Sequence, residues 1–277
     1  MIMTIYLNGK YIQQEQARCV VSFTGGVFET MRAYGGKIFR LSEHIKRLFM
    51  SAKFLGMSIS YASEELEEIC CHVLEHAGHK DAQVRISITN KDLLIIVKQF
   101  SQISCRDDVT IITSSLTKQP PLPQAKSSDF LLGVIARAES YSYDPFEIVF
   151  LNRHGFVTEG TVSNIFMVRD GVVITPPAYL GLLNGITRQC VLEVARQTGM
   201  ETRQVPFTRY DLFTADEVFL TNSCMEILPV SVVDGRMVGN GKEVSTPSCL
   251  RVCPSLKRNG AITMVLQEGY KKMVDGI

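Results

Sequence analysis

Between Thr117 and Gln124 the chain reads Thr-Lys-Gln-Pro-Pro-Leu-Pro-Gln, with prolines at 120, 121 and 123. Proline has no backbone N–H and a fixed φ, so neither an α-helix nor a central strand runs through this stretch. It divides the 277 residues into two parts, each long enough to bury a core of its own. The expected organisation is a small N-terminal α/β domain over residues 1–116, a linker over 117–124 and a larger domain over 125–277.

Both parts mix strand and helix signals. In the first, Ile5–Leu7 and Lys37–Phe39 read as strands. Ser42 is placed to cap a helix with the apolar stripe Ile45, Leu48, Phe49, Ala52 and Leu55, stopped by Gly56. A second helix is expected from Ser63, where Glu64 and Glu65 suit the positive end of the helix dipole, to Gly78. Val84–Thr89 and Leu93–Lys98 follow as a hairpin around Asn90-Lys91-Asp92, and then a strand at Val109–Thr113. The second part has helix signals at Leu131–Ser140 and Ile186–Gln197. Its strand signals are Glu147–Leu151, Ile165–Arg169, Val172–Ile174 and Glu217–Leu220, with a turn at Asp170-Gly171. The expected fold class is α+β.

Charge excludes one class of function. With 29 Lys+Arg against 28 Asp+Glu and no basic stripe, the chain offers no footprint for nucleic acid. No apolar run approaches the roughly 18–20 residues that a membrane-spanning helix needs, and Met1–Ile12 lacks the pattern of a secretory signal. Cys19, Cys70, Cys71, Cys105, Cys190, Cys224, Cys249 and Cys253 are scattered without a CxxC pair. They fit free thiols in a reducing, cytoplasmic setting. His72-Val-Leu-Glu-His76 has zinc-site spacing, but both histidines lie off the stripe of Leu66, Ile69, Cys70, Val73, Leu74 and Ala77. A solvated polar face, and no metal, is the expectation.

Four segments of the second part suit an anionic ligand when taken together. Lys126 lies in Gln124-Ala-Lys126-Ser-Ser-Asp-Phe before a helix; alone it reads as a solvated lysine beside a linker. Glu159 and Asn164 bracket a run of small polar residues entering a strand, where a lone Glu is an ordinary turn residue. Leu183-Asn-Gly185-Ile186-Thr187-Arg188 opens a helix whose first N–H groups suit a phosphate, or is simply a start capped by Asn184. Thr221-Asn222-Ser223-Cys224 is a polar turn after a strand.

In this order, the segments resemble the class IV, or fold-type IV, pyridoxal-phosphate aminotransferases. That group includes branched-chain and D-amino-acid aminotransferases and 4-amino-4-deoxychorismate lyases. The resemblance runs from Ile5 to about Val238 and includes Gly26-Val-Phe-Glu-Thr-Met-Arg-Ala-Tyr34 and Ser42-Glu-His-Ile-Lys-Arg47-Leu48. Each motif alone is unspecific; their ordered set is specific. It implies a two-domain fold with pyridoxal 5'-phosphate in the cleft, and a homodimer. Lys126 would bind the cofactor aldehyde and later carry the proton between Cα and C4′. Glu159 would keep the pyridine nitrogen protonated. Arg47, Gly185, Ile186, Thr187 and Ser223 would hold the phosphate, flanked by Asn222 and Cys224, with Asn164 behind Glu159. Off its helix's apolar stripe, Arg47 by itself reads equally as a surface arginine.

The chain also departs from the family pattern. Asp129-Phe130 stand where relatives carry an Asn and often an aromatic residue, and Glu243–Arg251 replaces a Gly-Pro-Thr run. The Arg-x-His element of the D-amino-acid enzymes is missing from Asn90-Lys91-Asp92, which weakens that specialisation. A substrate carboxylate still needs a cation. Alternation leaves Arg32 and Arg85 each compatible with a cleft or a surface position, and Phe28 would wall the substrate pocket. The expected activity is an aminotransferase for amino acids and 2-oxo acids with a branched-chain-like preference. The alternative is the lyase, which Asn184 before Gly185 favours and Thr187-Arg188 does not. A binding protein without turnover would be expected to have lost Lys126 or Glu159.

Overall fold

A computed structural model of the protein describes residues 3–13, 25–100, 109–128, 130–140, 144–239 and 260–277. Asp129, the Glu243–Arg251 run, Cys19, Cys105, Cys249 and Cys253 lie outside the described residues. Contacts divide the chain into two compact units. One comprises Met1–Gln102, Ala125–Phe130 and Ile277, the other Ile103–Gln124 and Leu131–Gly276.

In the first unit, β1 (Met3–Leu7), β2 (Lys10–Ile12), β3 (Gly26–Tyr34), β4 (Lys37–Ile38), β5 (Ala82–Thr89) and β6 (Leu93–Gln99) form an antiparallel sheet. Its strand order is β2-β1-β6-β5-β3-β4. Helices α1 (Leu41–Phe54) and α2 (Ser63–Ala77) cover one face. The two-residue period of a strand decides what meets them. Val27, Met31 and Ala33 of β3 and Val84, Ile86 and Ile88 of β5 join Ile45, Leu48, Ala52, Leu66, Cys70 and Val73 in one core. Phe28 and Arg32 on β3 and Arg85 on β5 have the opposite parity. Glu29 has the parity of the core residues, which puts a carboxylate beneath α1.

Local details differ from the sequence expectation. Arg40, in the left-handed conformation, precedes α1; the Ser42 hydroxyl does not cap the helix but donates to Glu67 Oε2 of α2 at 2.9 Å. His72 and His76 are exposed, as expected of a solvated face, and both also meet Tyr11. His72 Nδ1 lies 3.3 Å from the Tyr11 hydroxyl, and the His76 ring stacks on Tyr11 at 3.8 Å between centroids. Among the described residues no group of three His, Cys, Asp or Glu is placed to hold a metal.

The second unit holds two sheets. One contains β7 (Thr110–Thr117), β8 (Glu147–Leu151), β9 (Val157–Gly160), β15 (Val232–Val233) and β16 (Arg236–Met237) in the order β16-β15-β7-β8-β9. The other contains β10 (Asn164–Arg169), β11 (Val172–Thr175), β12 (Thr202–Gln204), β13 (Glu217–Asn222) and β14 (Glu226–Val230) in the order β12-β11-β10-β13-β14. Val149 and Val157 of the first meet Ile165, Met167, Val218 and Leu220 of the second in a shared core. Helices α3 (Leu131–Glu139), α4 (Ile186–Gln197), α5 (Arg209–Phe213) and α6 (Ala261–Asp275) complete the unit, with α4 and α6 packed on β13 and on each other.

The units do not follow the expected division at 116 and 125. Val109–Thr113 does not end the first sheet, because β7 pairs in parallel with β8, Ile111 opposite Glu147. The proline-rich stretch stops β7 and stays in the second unit. Lys126–Ser128 instead extends the first sheet: Phe28 N–H donates to Lys126 O at 3.1 Å and Ser128 N–H to Gly26 O at 2.8 Å. Helix α6 has no counterpart among the expected elements. Its first N–H groups are satisfied from a distant strand, Glu217 of β13 accepting Ile262 N–H at 3.0 Å and Thr263 N–H at 2.8 Å. Among the described residues no helix is long and apolar enough to cross a membrane.

Candidate active site

The backbone of Lys126 is fixed by its bond to β3 and by its N–H, which donates to Ser51 Oγ of α1 at 3.0 Å. Its Nζ lies 4.6 Å from the centre of the Phe28 ring. The Arg85 guanidinium lies 4.0 Å from the same ring and 5.6 Å from that of Phe130. Arg85 Nε donates to Ser87 Oγ at 3.4 Å, and among the described residues no carboxylate pairs with it. Burial lowers its pKa. Arg32 is elsewhere on this face, 3.3 Å from the Phe100 ring centre and 4.6 Å from that of Tyr34. The structure thus gathers Lys126, Phe28 and Arg85 and leaves Arg32 with two other aromatic rings.

Beneath β3 lies an unexpected charged cluster. Arg47 grips Glu29 with two hydrogen bonds of 2.7 Å, Nε to Oε1 and Nη2 to Oε2. His44 Nδ1 lies 2.8 Å from Glu29 Oε2. Burial pushes the Glu29 pKa up, but the charge and hydrogen bonds of Arg47 and the His44 bond outweigh it and bring it to about 2. The His44 pKa is lowered, chiefly by burial, with Arg47 and Lys126 pushing the same way against Glu29. A neutral His44 therefore donates its Nδ1–H to Glu29, whose carboxylate also neutralises Arg47. Glu29 stands inside the Gly26–Tyr34 run, at core parity; alternation was the signal that could have singled it out.

The second unit assembles its own set. Glu159 Oε1 accepts from Lys118 Nζ at 2.8 Å, and Oε2 accepts the Leu183 N–H at 2.9 Å. Asn164 Nδ2 donates to Leu183 O at 2.8 Å and lies 3.5 Å from Glu159 Oε2. Lys118 carries no sequence signal of this role, since it is hidden in the proline-rich stretch. Leu183 leads into Gly185, the extended residue before α4. A Cβ on Gly185 would run into the Asn164 side chain, so glycine permits this close approach. Ile186 and Thr187 then contribute the first N–H groups of α4, which have no partner within the helix. Asn184 Oδ1 accepts from Arg188 Nη1 at 2.9 Å and from Gln189 Nε2, so this side chain serves the helix start. Asn222 builds the turn after β13, its Oδ1 accepting the N–H groups of Cys224 at 2.9 Å and Met225 at 2.8 Å. Ser223 and Cys224 are half-buried in that turn.

Two observations support an anionic ligand for this set. Arg188 is buried in the first turn of α4 and bonds only neutral oxygens, Asn184 Oδ1, Pro176 O and Gln204 Oε1, while its Nε has no partner among the described residues. Desolvation lowers its pKa to about 10, as expected for a buried cation without a counter-charge. Thr221 Oγ1 is likewise buried and unpartnered, and Thr221 faces Asn164 across the β10–β13 ladder. Orphaned polar atoms of this kind beside a helix N-terminus fit a group bearing a phosphate.

Comparison with known proteins agrees. Residues 26–233 match the family described as amino-transferase class IV. A Methanocaldococcus jannaschii protein, provisionally named a branched-chain-amino-acid aminotransferase, is 35% identical, with 97% of this chain and 96% of that one aligned. The D-alanine aminotransferase of Bacillus licheniformis is 29% identical over 86% of this chain and 91% of its own. Among solved structures, a T.th. branched-chain amino acid aminotransferase with pyridoxamine 5'-phosphate superposes with a TM-score of 0.84 at 30% identity. That match covers 99% of this chain and 94% of the other. The ordered motifs, the fold and these matches have one reading: the chain belongs to the class IV aminotransferases.

Proposed function

We propose that this protein is a pyridoxal-phosphate-dependent aminotransferase that moves an amino group between a branched-chain amino acid and a 2-oxo acid. One observation carries the reading most: the Lys126 amine and the Arg85 guanidinium share the Phe28 ring, and no carboxylate neutralises Arg85 among the described residues. An amine nucleophile next to a cation with spare donors is what an amino-acid substrate requires. The branched-chain preference draws on the archaeal relative and on the solved branched-chain enzyme.

When bound, pyridoxal phosphate supplies an electron sink for the pair left as the substrate loses its Cα proton. Lys126 would hold the cofactor through its amine, and the same amine would carry the substrate's Cα proton. Arg47, fixed by Glu29, would donate to the phosphate, and so would Ser223 and the N–H groups of Gly185, Ile186 and Thr187. Glu159, which accepts from Lys118 Nζ and the Leu183 N–H, would hold the pyridine nitrogen, with Asn164 behind it. Asn222 and Cys224 shape the turn that carries Ser223. Phe28 walls the substrate space, and Arg85 rather than Arg32 receives a substrate carboxylate. Arg85→Met should therefore weaken amino-acid and oxo-acid binding about 10–100-fold with cofactor affinity unchanged, whereas Arg32→Met should leave substrate KM within about twofold. Equal effects of the two substitutions on KM would contradict this assignment.

A homodimer is part of the proposal. It gives a cover to α3, where Leu131, Val134 and Ile135 are exposed. A cytoplasmic setting suits Cys70, Cys71, Cys190 and Cys224, which stand outside any disulfide. The test is a single turnover of cofactor-loaded protein with one amino acid and no acceptor. Stoichiometric release of the matching 2-oxo acid from Leu, Ile or Val is expected. Pyruvate and 4-aminobenzoate released from 4-amino-4-deoxychorismate, with the branched-chain donors inert, would make it the lyase instead.

A further inference from the structure

We infer that Glu147 is a positioning residue for Glu159, acting through the turn that joins Glu159 to Asn164; the inference rests on the role of Glu159 proposed above. Glu147 opens β8 and is 1% exposed. Its Oε1 accepts the Thr161 hydroxyl at 2.5 Å, the Ile148 N–H at 2.9 Å and the Thr161 N–H at 3.1 Å. Its Oε2 accepts the Ser163 hydroxyl at 2.8 Å and the Val162 N–H at 3.2 Å. Arg137 of α3 adds a longer contact of 3.4 Å from a half-exposed position. Every residue between Gly160 and Asn164 thus donates to this one carboxylate.

The turn has little freedom left. Gly160 N–H closes it on Ser163 O at 2.7 Å. A Cβ on Gly160 would lie 2.7 Å from Glu147 Cδ, so only glycine lets the strand pass this close. The ends of the turn are Glu159 and Asn164, which meet each other and Leu183. Its outer carbonyl, Val162 O, accepts Asn222 Nδ2 at 3.3 Å, and Asn222 in turn shapes the Cys224 turn. One carboxylate therefore ties down both polar turns of this unit's ligand-binding set.

Burying a carboxylate is costly, and an apolar side chain would fill the start of β8 at lower cost. What the carboxylate adds is acceptors for four separate donors of the 161–163 turn, and with them a fixed place for Glu159. Glu147→Gln replaces one acceptor oxygen with a donor and frees the turn without changing volume.

The test is a double-mutant cycle on the dissociation constant for pyridoxal 5'-phosphate, read by equilibrium dialysis with wild type, Glu147→Gln, Glu159→Gln and the double variant. Glu147→Gln is expected to weaken binding about tenfold in the wild-type background and less than about twofold when Glu159 is already Gln. The same loss in both backgrounds would make Glu147 a purely structural residue and overturn the inference. Failure of the wild type to bind, or normal affinity in Glu159→Gln, would overturn the role of Glu159 beneath it. Should Glu147→Gln not fold, Ser163→Ala removes a single donor, and its loss of about threefold is expected to vanish in the Glu159→Gln background. Additivity there would overturn the inference equally.

Discussion

Lys126→Ala is expected to lower turnover by at least about 10³-fold and to remove covalent capture of the cofactor, while the protein stays folded. In the proposed function two separate roles would end in this amine, holding the cofactor and moving the Cα proton, so no other group would inherit both. The structural cost is small because the backbone of Lys126 does the anchoring. Its N–H reaches Ser51 and its carbonyl takes the Phe28 N–H, and alanine retains both. An unchanged thermal transition of the cofactor-free protein, with no cofactor fixed to the protein by borohydride, is the expected pair of results. Turnover within tenfold of wild type would contradict the role.

Glu29→Gln should act on stability and cofactor together. The substitution leaves Arg47 with only a neutral acceptor in place of the carboxylate it now grips twice, a loss of about 3–5 kcal/mol by the general cost of breaking a buried pair. With its guanidinium no longer held, Arg47 should bind phosphate more weakly, about tenfold or more in the cofactor dissociation constant. The pH dependence identifies the cause. The folded pKa of Glu29, about 2, lies below its ordinary 4.5, so its contribution is complete above about pH 4.5 and disappears as pH falls toward 2. His44, lowered from 6.5, adds a further loss that begins as pH falls below 6.5, because the unfolded chain takes up that proton more readily. Acid unfolding followed by circular dichroism should therefore lose its Glu29-linked slope between pH 4.5 and 2 in the variant. An unaltered slope would remove Glu29 from the account.

Much of this was legible in the residues, for identifiable reasons. Helix α2 follows from the spacing of Leu66, Cys70, Val73 and Leu74, and its end from Gly78, which takes a φ of 68°. The β5–β6 and β10–β11 hairpins follow from polar turns between apolar runs. Long-range pairing was not legible. Nothing local tells β7 to run beside β8, or Lys126–Ser128 to leave its neighbours and bond β3, so the contact-based units divide elsewhere than at the prolines. Helix α6 carries Leu266, Tyr270 and Val274 at helical spacing, but the partner that caps it, Glu217, lies 45 residues before Ile262.

The site divides in the same way. The residues proposed for the site from motif order include Lys126, Arg47, Glu159 and Gly185. The side chains that bond them or the turn beside them, Ser51 to Lys126, Glu29 to Arg47, Lys118 to Glu159 and Glu147 to the 161–163 turn, are ordinary residue types whose partners are set by tertiary structure. Strand parity alone did not separate Arg32 from Arg85; the aromatic rings around each do so.

The most direct measurement is borohydride reduction of the protein loaded with pyridoxal phosphate, followed by peptide mass mapping. The account predicts one labelled lysine, Lys126. A label on Lys118, eight residues earlier and already paired with Glu159, or on no lysine at all, would contradict it.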